Sequence, residues 1–467
     1  MGNDHAHGGG CPCAESRSGQ KVYDLIRLKM HTHLMTERMV QQVDPGALWV
    51  LDTWDYGCEG AWKNEEVRAL LRTLGKGNYL ALDIWADDNT RESYRDWGFF
   101  EDHDWGIGLL HGFAGEDEIA GDREFILERT QAVLRDPRAR RCIAFAYLDE
   151  KNHDDTMYAQ LLARLAWHPQ DLTLEGFLQD YALRRYGRPA AAQMAQSMAS
   201  LCEGVKHTQR QDCWYQWTTY IPAHRSFYDH LYGGALFGTE QEAPVRKTVE
   251  RVAQSAPHLL DCLGRALEMQ EVVADQGMYE TDLVDIARTL LADLVSLELG
   301  RAFLSYLEAT RGFARGDSSA AAVAAFEGAA AHAEALVLSL EMLLSTREDF
   351  SLARSIAEVL EVPGVNSWSD TALRQRAENP YNRSHVFELV HRVYRRDVAT
   401  YVALLRRHLG ERDPVPVSVK DEGFRRALNE HGRGFYQGEL EVPRTYRGTA
   451  LEAAGETYQL AREVLAA

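Results

Sequence analysis

Along the first third of the chain, apolar positions alternate between two rhythms. Over residues 22–43, Leu25, Leu28, Met35 and Met39 recur at helical spacing, and Asp44-Pro45-Gly46 breaks the run. A short apolar block follows, Ala47-Leu48-Trp49-Val50-Leu51, closed by Asp52. Fenced by turn residues, such a block predicts a buried parallel strand. Val67, Leu70, Leu71 and Leu74 then predict a helix over 63–74, ended by Gly75 and Gly77. The alternation repeats. A strand at 79–82 runs into Asp83-Ile84-Trp85-Ala86-Asp87, and one at 105–110 ends at His111. After a helix over 122–134, a strand at 142–147 ends at Asp149-Glu150, and a further helix carries Tyr158, Leu161, Leu162 and Leu165. Four βα units in series predict a parallel sheet.

From about residue 170 the strand rhythm stops. Leu283, Ile286, Leu290, Leu294 and Leu297 are spaced three or four apart, and Gly312, Gly316 and Asp317-Ser318 mark a turn before an alanine-rich helix at 319–345. The expected fold class is α/β plus all-α. Residues 1–168 would hold the four strands, and residues 169–467 a large α-helical domain.

Composition narrows the function. A chain of 467 residues with 45% hydrophobic content can bury two or three cores. A net charge of −19 repels a phosphate backbone or an anionic membrane surface, so neither nucleic acid nor membrane is an expected partner. The seven cysteines are too scattered for a disulfide scaffold, and Cys142 and Cys262 read as buried thiols. No run of eighteen apolar residues suggests a transmembrane helix, and the first residues show neither a basic nor an apolar leader region. Taken as it stands, the chain is expected to be cytoplasmic.

Polar residues gather at the strand ends: Asp52, Asp55, Asp83, Asp87, His111, Asp149 and Glu150. Barrels and open α/β sheets place ligands there. Aromatic–acid pairs recur at those ends, as Trp54-Asp55, Trp85-Asp87 and Tyr147-Asp149, and a flat indole suits the C–H face of a sugar. Glycoside hydrolysis needs two carboxyl groups, and Asp149-Glu150 offers one of them. On the residues alone those two read first as a solvated acidic turn, because 150–155 runs Glu-Lys-Asn-His-Asp-Asp. His5, His7, Cys11 and Cys13 are metal-capable, but the paired Cys-x₂-Cys spacing of zinc sites is absent. His31 and His33 lie two apart in a predicted helix and read as a surface feature. Phosphate-binding glycine loops and the G-x-S-x-G serine elbow are missing as well. No metal or cofactor is expected.

These segments together resemble glycoside hydrolase family 89, the α-N-acetylglucosaminidases. Trp49 to Trp54 resembles the family's "WLLQGW" and Tyr79 to Asp87 its "LLVLDLFAE". Leu110 to Gly115 resembles "LHNFGG", and Arg184 to Gly187 repeats "RRYG". Tyr158 to Trp167 is similar to the helix that follows the family's nucleophile, and the helix from Tyr279 resembles its counterpart in the helical domain. The resemblance covers about residues 22–410. It implies the later strands of a (β/α)₈ TIM barrel followed by the helical domain, and a retaining exo-α-N-acetylglucosaminidase that removes terminal α-linked N-acetylglucosamine.

Counted from the strand, Glu150 aligns with the nucleophile; counted from the following helix, Asp149 does. Glu15 is the one carboxylate at about the distance of the general acid, in a Cys-Pro-Cys-Ala-Glu context unlike the family's. Trp54, Trp85, Asp87, His111 and Asp149 would line the sugar pocket. Three departures stand out. Only about four strands are present, which implies a missing N-terminal segment or a homo-oligomer to complete the barrel. Gly112 replaces the family's Asn, and the "TLWGP" segment has no match near Arg376–Tyr381. Competing readings are a hydrolase of another sugar, a non-catalytic carbohydrate-binding or assembly module, and a metal-dependent hydrolase.

Overall fold

The computed structural model describes residues 19–57, 62–74, 79–87, 92–97, 103–111, 118–148, 155–206, 242–364, 369–378, 384–417, 422–438 and 448–467. The described residues form two compact units. In the first, helix α1 (Gly19–Val43) leads to strand β1 (Trp49–Asp52). Helix α2 (Asn64–Thr73), β2 (Tyr79–Asp83), β3 (Trp105–Leu110), α3 (Arg123–Arg135), β4 (Cys142–Leu148) and α4 (Thr156–Trp167) follow. The four strands make one parallel sheet in the order β1-β2-β3-β4, the expected partial barrel.

Alternation decides which side chains face the helices. The register aligns Leu51 with Ala81 and Ala81 with Trp105, and all three are buried. Trp105 stacks on Tyr94 with ring centroids 5.4 Å apart. Helix α2 turns Val67, Leu70 and Leu71 inward, and the Glu66 carboxylate accepts the Lys63 backbone N–H at its N-terminus. Helices α3 and α4 bury Ile126, Leu127 and Val133, and Met157, Leu161, Leu162 and Leu165.

Four strands do not close into a barrel. Among the described residues β1 and β4 are the edges of the sheet, and Val50 and Ile143 are exposed at 50% and 66%. Edge position corrects one expectation: Cys142 is only half-buried, whereas Cys262 is fully buried. His33 is a second correction. It is half-buried, with its ring 5.7 Å from Trp49 and 6.4 Å from Tyr56 and Trp62, so it belongs to an aromatic cluster and not to the helix surface.

The second unit is helical throughout its described length. It contains α5 (Leu174–Tyr186), α6 (Ala191–Val205), α7 (Glu242–Leu267), α8 (Gln276–Ala314) and α9 (Ala320–Leu344). Then come α10 (Leu352–Glu361), α11 (Asp370–Glu378), α12 (Arg395–Glu411), α13 (Glu422–Gln437) and α14 (Ala450–Ala466). Helix α8 is the core. Its residues from Leu283 to Leu299 are buried nearly all round, as expected of a helix apolar on every face. Gly300 lets α7 approach it, because a Cβ there would fall 2.6 Å from Val249 Cγ2.

Helix α9 is long and apolar enough to cross a membrane by length and composition alone. Glu327, Glu334 and Glu341 interrupt its apolar run, which is why no uninterrupted stretch of eighteen shows in the sequence. Its Phe326, Leu336, Leu340, Leu343 and Leu344 are buried. Glu341, also buried, accepts from Arg395 at 2.6 Å and lies 3.0 Å from His391 Nδ1.

Candidate functional site

The strand ends of the first unit hold a rigid aromatic pair. Trp54 follows β1 and Trp85 follows β2, and their indoles stack with centroids 4.9 Å apart and planes 10° apart. Trp85 is fixed at several atoms. Its Nε1–H donates to the Thr53 carbonyl at 3.2 Å, its backbone N–H donates to Asp83 Oδ1 at 3.3 Å, and it bridges to Leu109 of β3. Thr53, fully buried, in turn donates from Oγ1 to the Leu82 carbonyl at 2.8 Å. Trp54 is held through its own N–H, which donates to Asp52 Oδ1 at 3.0 Å. Trp85 is buried and Trp54 half-buried, so the pair presents the Trp54 side of the stack.

Asp83, which accepts the Trp85 backbone N–H, is only 2% exposed. Its two carboxylate oxygens accept from Ser93 Oγ at 2.5 and 2.6 Å. Burial pushes its carboxyl up to about 6, while the Ser93 and Trp85 hydrogen bonds pull it back and the charge of Asp87 adds to the rise. The folded state therefore prefers the protonated form. That stabilisation is complete below the ordinary aspartate value near 4 and is lost as pH rises through about 6. Relative to an Asp83→Asn variant, the native chain is expected to gain on the order of 3 kcal/mol in denaturant titrations as pH falls from about 8 to about 4. A constant difference over that range would contradict the buried, raised carboxyl.

At the end of β3, His111 donates from its backbone N–H to the Leu148 carbonyl of β4 at 3.3 Å. Its buried ring stacks on Tyr158 of α4 at 3.8 Å, and the Arg123 guanidinium lies 5.5 Å from the Tyr158 ring centre. Asp87 is half-buried, two residues beyond Trp85. Glu15, Asp149 and Glu150 lie outside the described residues, as do His5, His7, Cys11 and Cys13. Among the described residues no cluster of metal-ligating side chains occurs.

Two family models match the chain in order. Residues 17–169 match the TIM-barrel domain of α-N-acetylglucosaminidase, and residues 177–371 match its C-terminal domain. The chain belongs to the α-N-acetylglucosaminidase family. Solved structures agree on the fold. A family 89 glycoside hydrolase from Clostridium perfringens, carrying two Glu→Gln substitutions and in complex with its substrate GlcNAc-α-1,4-galactose, superposes with a TM-score of 0.66 at 14% identity. That match covers 91% of this chain and 45% of the other. The family 89 enzyme from the same organism in complex with PUGNAc gives 0.65 at 14% identity, covering 91% and 46%. In complex with 2-acetamido-1,2-dideoxynojirimycin it gives 0.64 at 15% identity, covering 90% and 46%. The chain thus spans less than half the length of these solved relatives. No curated protein matches it.

Of the residues singled out from the sequence, the fold brings Trp54 and Trp85 into contact, and Asp87 follows two residues after Trp85. Thr53, Ser93 and Arg123 gave no signal in the sequence, and Tyr158 stood out only as one residue of an apolar helix face. Asp83 stood out only as one strand-end acid among several, and its contact to Ser93 is the feature that the alternation of strand and helix cannot announce.

Proposed function

We propose that this chain is a glycoside hydrolase of the retaining α-N-acetylglucosaminidase type, releasing terminal α-linked N-acetylglucosamine. The observation that carries the reading is the ordered match of both family domains to one chain whose strand ends present a stacked tryptophan pair. Sugars offer a flat apolar face of C–H groups, and a fixed indole stack receives it without an ordering cost. The relatives of known structure hold GlcNAc-α-1,4-galactose or inhibitors, which supports the substrate class.

In the proposed reaction the Glu150 carboxylate attacks C1 of the terminal sugar while a second carboxyl protonates the leaving oxygen. That acid then acts as base on the water that cleaves the glycosyl–enzyme ester, so the configuration at C1 is inverted twice. Glu15 is the candidate for the acid within this sequence. Trp54, Trp85, Asp87, His111 and Asp149 are proposed to bind the sugar, with His111 fixed by its stack on Tyr158. No cofactor enters this scheme. Hydrolysis of 4-nitrophenyl N-acetyl-α-glucosaminide, set against the corresponding α-glucoside and α-galactoside, tests the reading. Preference for the N-acetylated substrate supports it, and turnover of another glycoside alone points to a different sugar, the reading that Gly112 favours. A second reading, a carbohydrate-binding module without turnover, is favoured by the four-stranded sheet that has two open edges among the described residues, and binding of the sugar with no hydrolysis would select it.

A further inference from the structure

The geometry points to Asp83 as the positioning residue of the sugar-binding tryptophan pair, a role that rests on the glycosidase reading above. Asp83 is the last residue of β2, and its side chain is directed away from solvent into the base of the turn at 83–87. One carboxylate ties the turn together from both sides. It takes the Ser93 hydroxyl, ten residues on, and the backbone N–H of Trp85. The turn itself closes through Ile84 N–H to the Leu82 carbonyl and Ala86 N–H to the Asp83 carbonyl, at 3.0 and 3.3 Å.

The strand alongside is shaped to receive this turn. At Gly108 of β3 a Cβ would sit 3.0 Å from Ile84 Cγ2 and 3.3 Å from the Asp83 carbonyl carbon. A Cβ there would press on the turn and push it back by a few tenths of an ångström, so glycine eases the close approach that goes with the Trp85–Leu109 bridge. Trp85 is thereby fixed at its backbone by Asp83 and β3, and at its ring by Thr53. The stack on Trp54 follows from these constraints. A burial-raised carboxyl is a costly way to hold a simple turn. The cost has a purpose if the turn must set an indole plane for a ligand.

The test uses the full chain, with 4-nitrophenyl N-acetyl-α-glucosaminide as substrate and the far-ultraviolet circular-dichroism couplet of the two stacked indoles as a structural readout. Asp83→Ala is expected to diminish the couplet and to raise KM roughly five- to tenfold, the loss of one well-placed aromatic contact. Its kcat should change less than about twofold, because the carboxylates that do the chemistry are untouched. Asp83→Asn keeps an oxygen for the Trp85 N–H and should restore both couplet and KM. Ser93→Ala leaves the carboxylate in place and should give an intermediate KM, which keeps the test open if Asp83→Ala does not fold.

Loss of the couplet with an unchanged KM would show that the sugar does not rest on the pair. An unchanged couplet and KM in Asp83→Ala would show that Asp83 positions nothing. A fall in kcat matching the rise in KM, or an Asp83→Asn variant as impaired as Asp83→Ala, would also overturn the role. If the native chain turns over no aryl N-acetyl-α-glucosaminide, the glycosidase reading fails and this role with it. The couplet would still report whether Asp83 holds the stack, so the two failures are told apart.

Discussion

Glu150→Gln is expected to lower turnover of 4-nitrophenyl N-acetyl-α-glucosaminide by about 10³-fold or more, with the thermal transition and circular dichroism unchanged. The amide keeps the size of the carboxylate but cannot attack C1, so no glycosyl–enzyme ester forms. The effect should fall on kcat and on kcat/KM alike, since the lost interaction is made only in the transition state. Asp149→Asn is the paired control. The two positions compete because the family resemblance points to Glu150 when counted from the strand and to Asp149 when counted from the following helix. A large loss in Asp149→Asn together with near-full activity in Glu150→Gln would move the nucleophile to residue 149. Near-full activity in both would remove the nucleophile from this turn altogether.

Asp282→Ala is expected to destabilise the helical unit by about 3–5 kcal/mol. Arg185, from the Arg-Arg-Tyr-Gly segment at the end of α5, reaches Asp282 on α8 with two parallel hydrogen bonds, both 2.6 Å. Tyr186 adds a third, its hydroxyl donating to Asp282 Oδ2 at 2.8 Å. Arg185 and Asp282 are about 12% and 13% exposed, so water compensates little when one is removed. Burial alone would lower the Arg185 guanidinium, but the hydrogen bonds and charge of Asp282 raise it above its ordinary value. Burial pushes the Asp282 carboxyl up, and the same guanidinium pulls it back. The bidentate geometry marks an ion pair.

Deleting the carboxylate leaves a buried guanidinium and a buried hydroxyl without their acceptor, which is where the cost arises. A fall of roughly 10 °C in the midpoint of the helical unit is the expected readout. Asp282→Asn, which keeps acceptor oxygen but not charge, should lose less. A change below about 1 kcal/mol in Asp282→Ala would show that the pair is bystander geometry on an otherwise self-sufficient core.

The alternation of strand and helix was readable because each strand is a short apolar block fenced by turn residues. Even the boundaries follow closely, with one instructive difference. The apolar block from Ala47 reads as strand at its first residue, yet β1 begins at Trp49. Ala47 is held in the preceding turn, its N–H donating to the Asp44 carbonyl and its own carbonyl accepting from Gln41 Nε2. The helical unit was readable for a similar reason, since the leucine spacing of α8 persists through a helix of 39 residues.

What escaped is what depends on distant partners. Cys142 looks like a core thiol in a run of apolar residues, but among the described residues β4 is an edge strand and leaves it half-buried. His33 looks like a helix surface residue until Trp49 and Trp62 fold against it. The short π-helical turn at Val390–Tyr394 before α12 has no sequence signature of its own. Asp83 was visible as an acid at a strand end, but its hydroxyl donor, Ser93, comes from a short helix ten residues on, and the close approach of its turn to β3 is eased by Gly108. The candidate site was legible in its aromatic residues and illegible in the polar atoms that hold them.

The proposed reaction is a double displacement through the Glu150 carboxylate. Its most direct test is the anomeric configuration of the first N-acetylglucosamine released from 4-nitrophenyl N-acetyl-α-glucosaminide, followed by proton NMR before mutarotation. The α-anomer is expected to appear first and the β-anomer only as equilibrium is reached. Initial release of the β-anomer would mean a single displacement by water, and the nucleophilic role of Glu150 would be wrong.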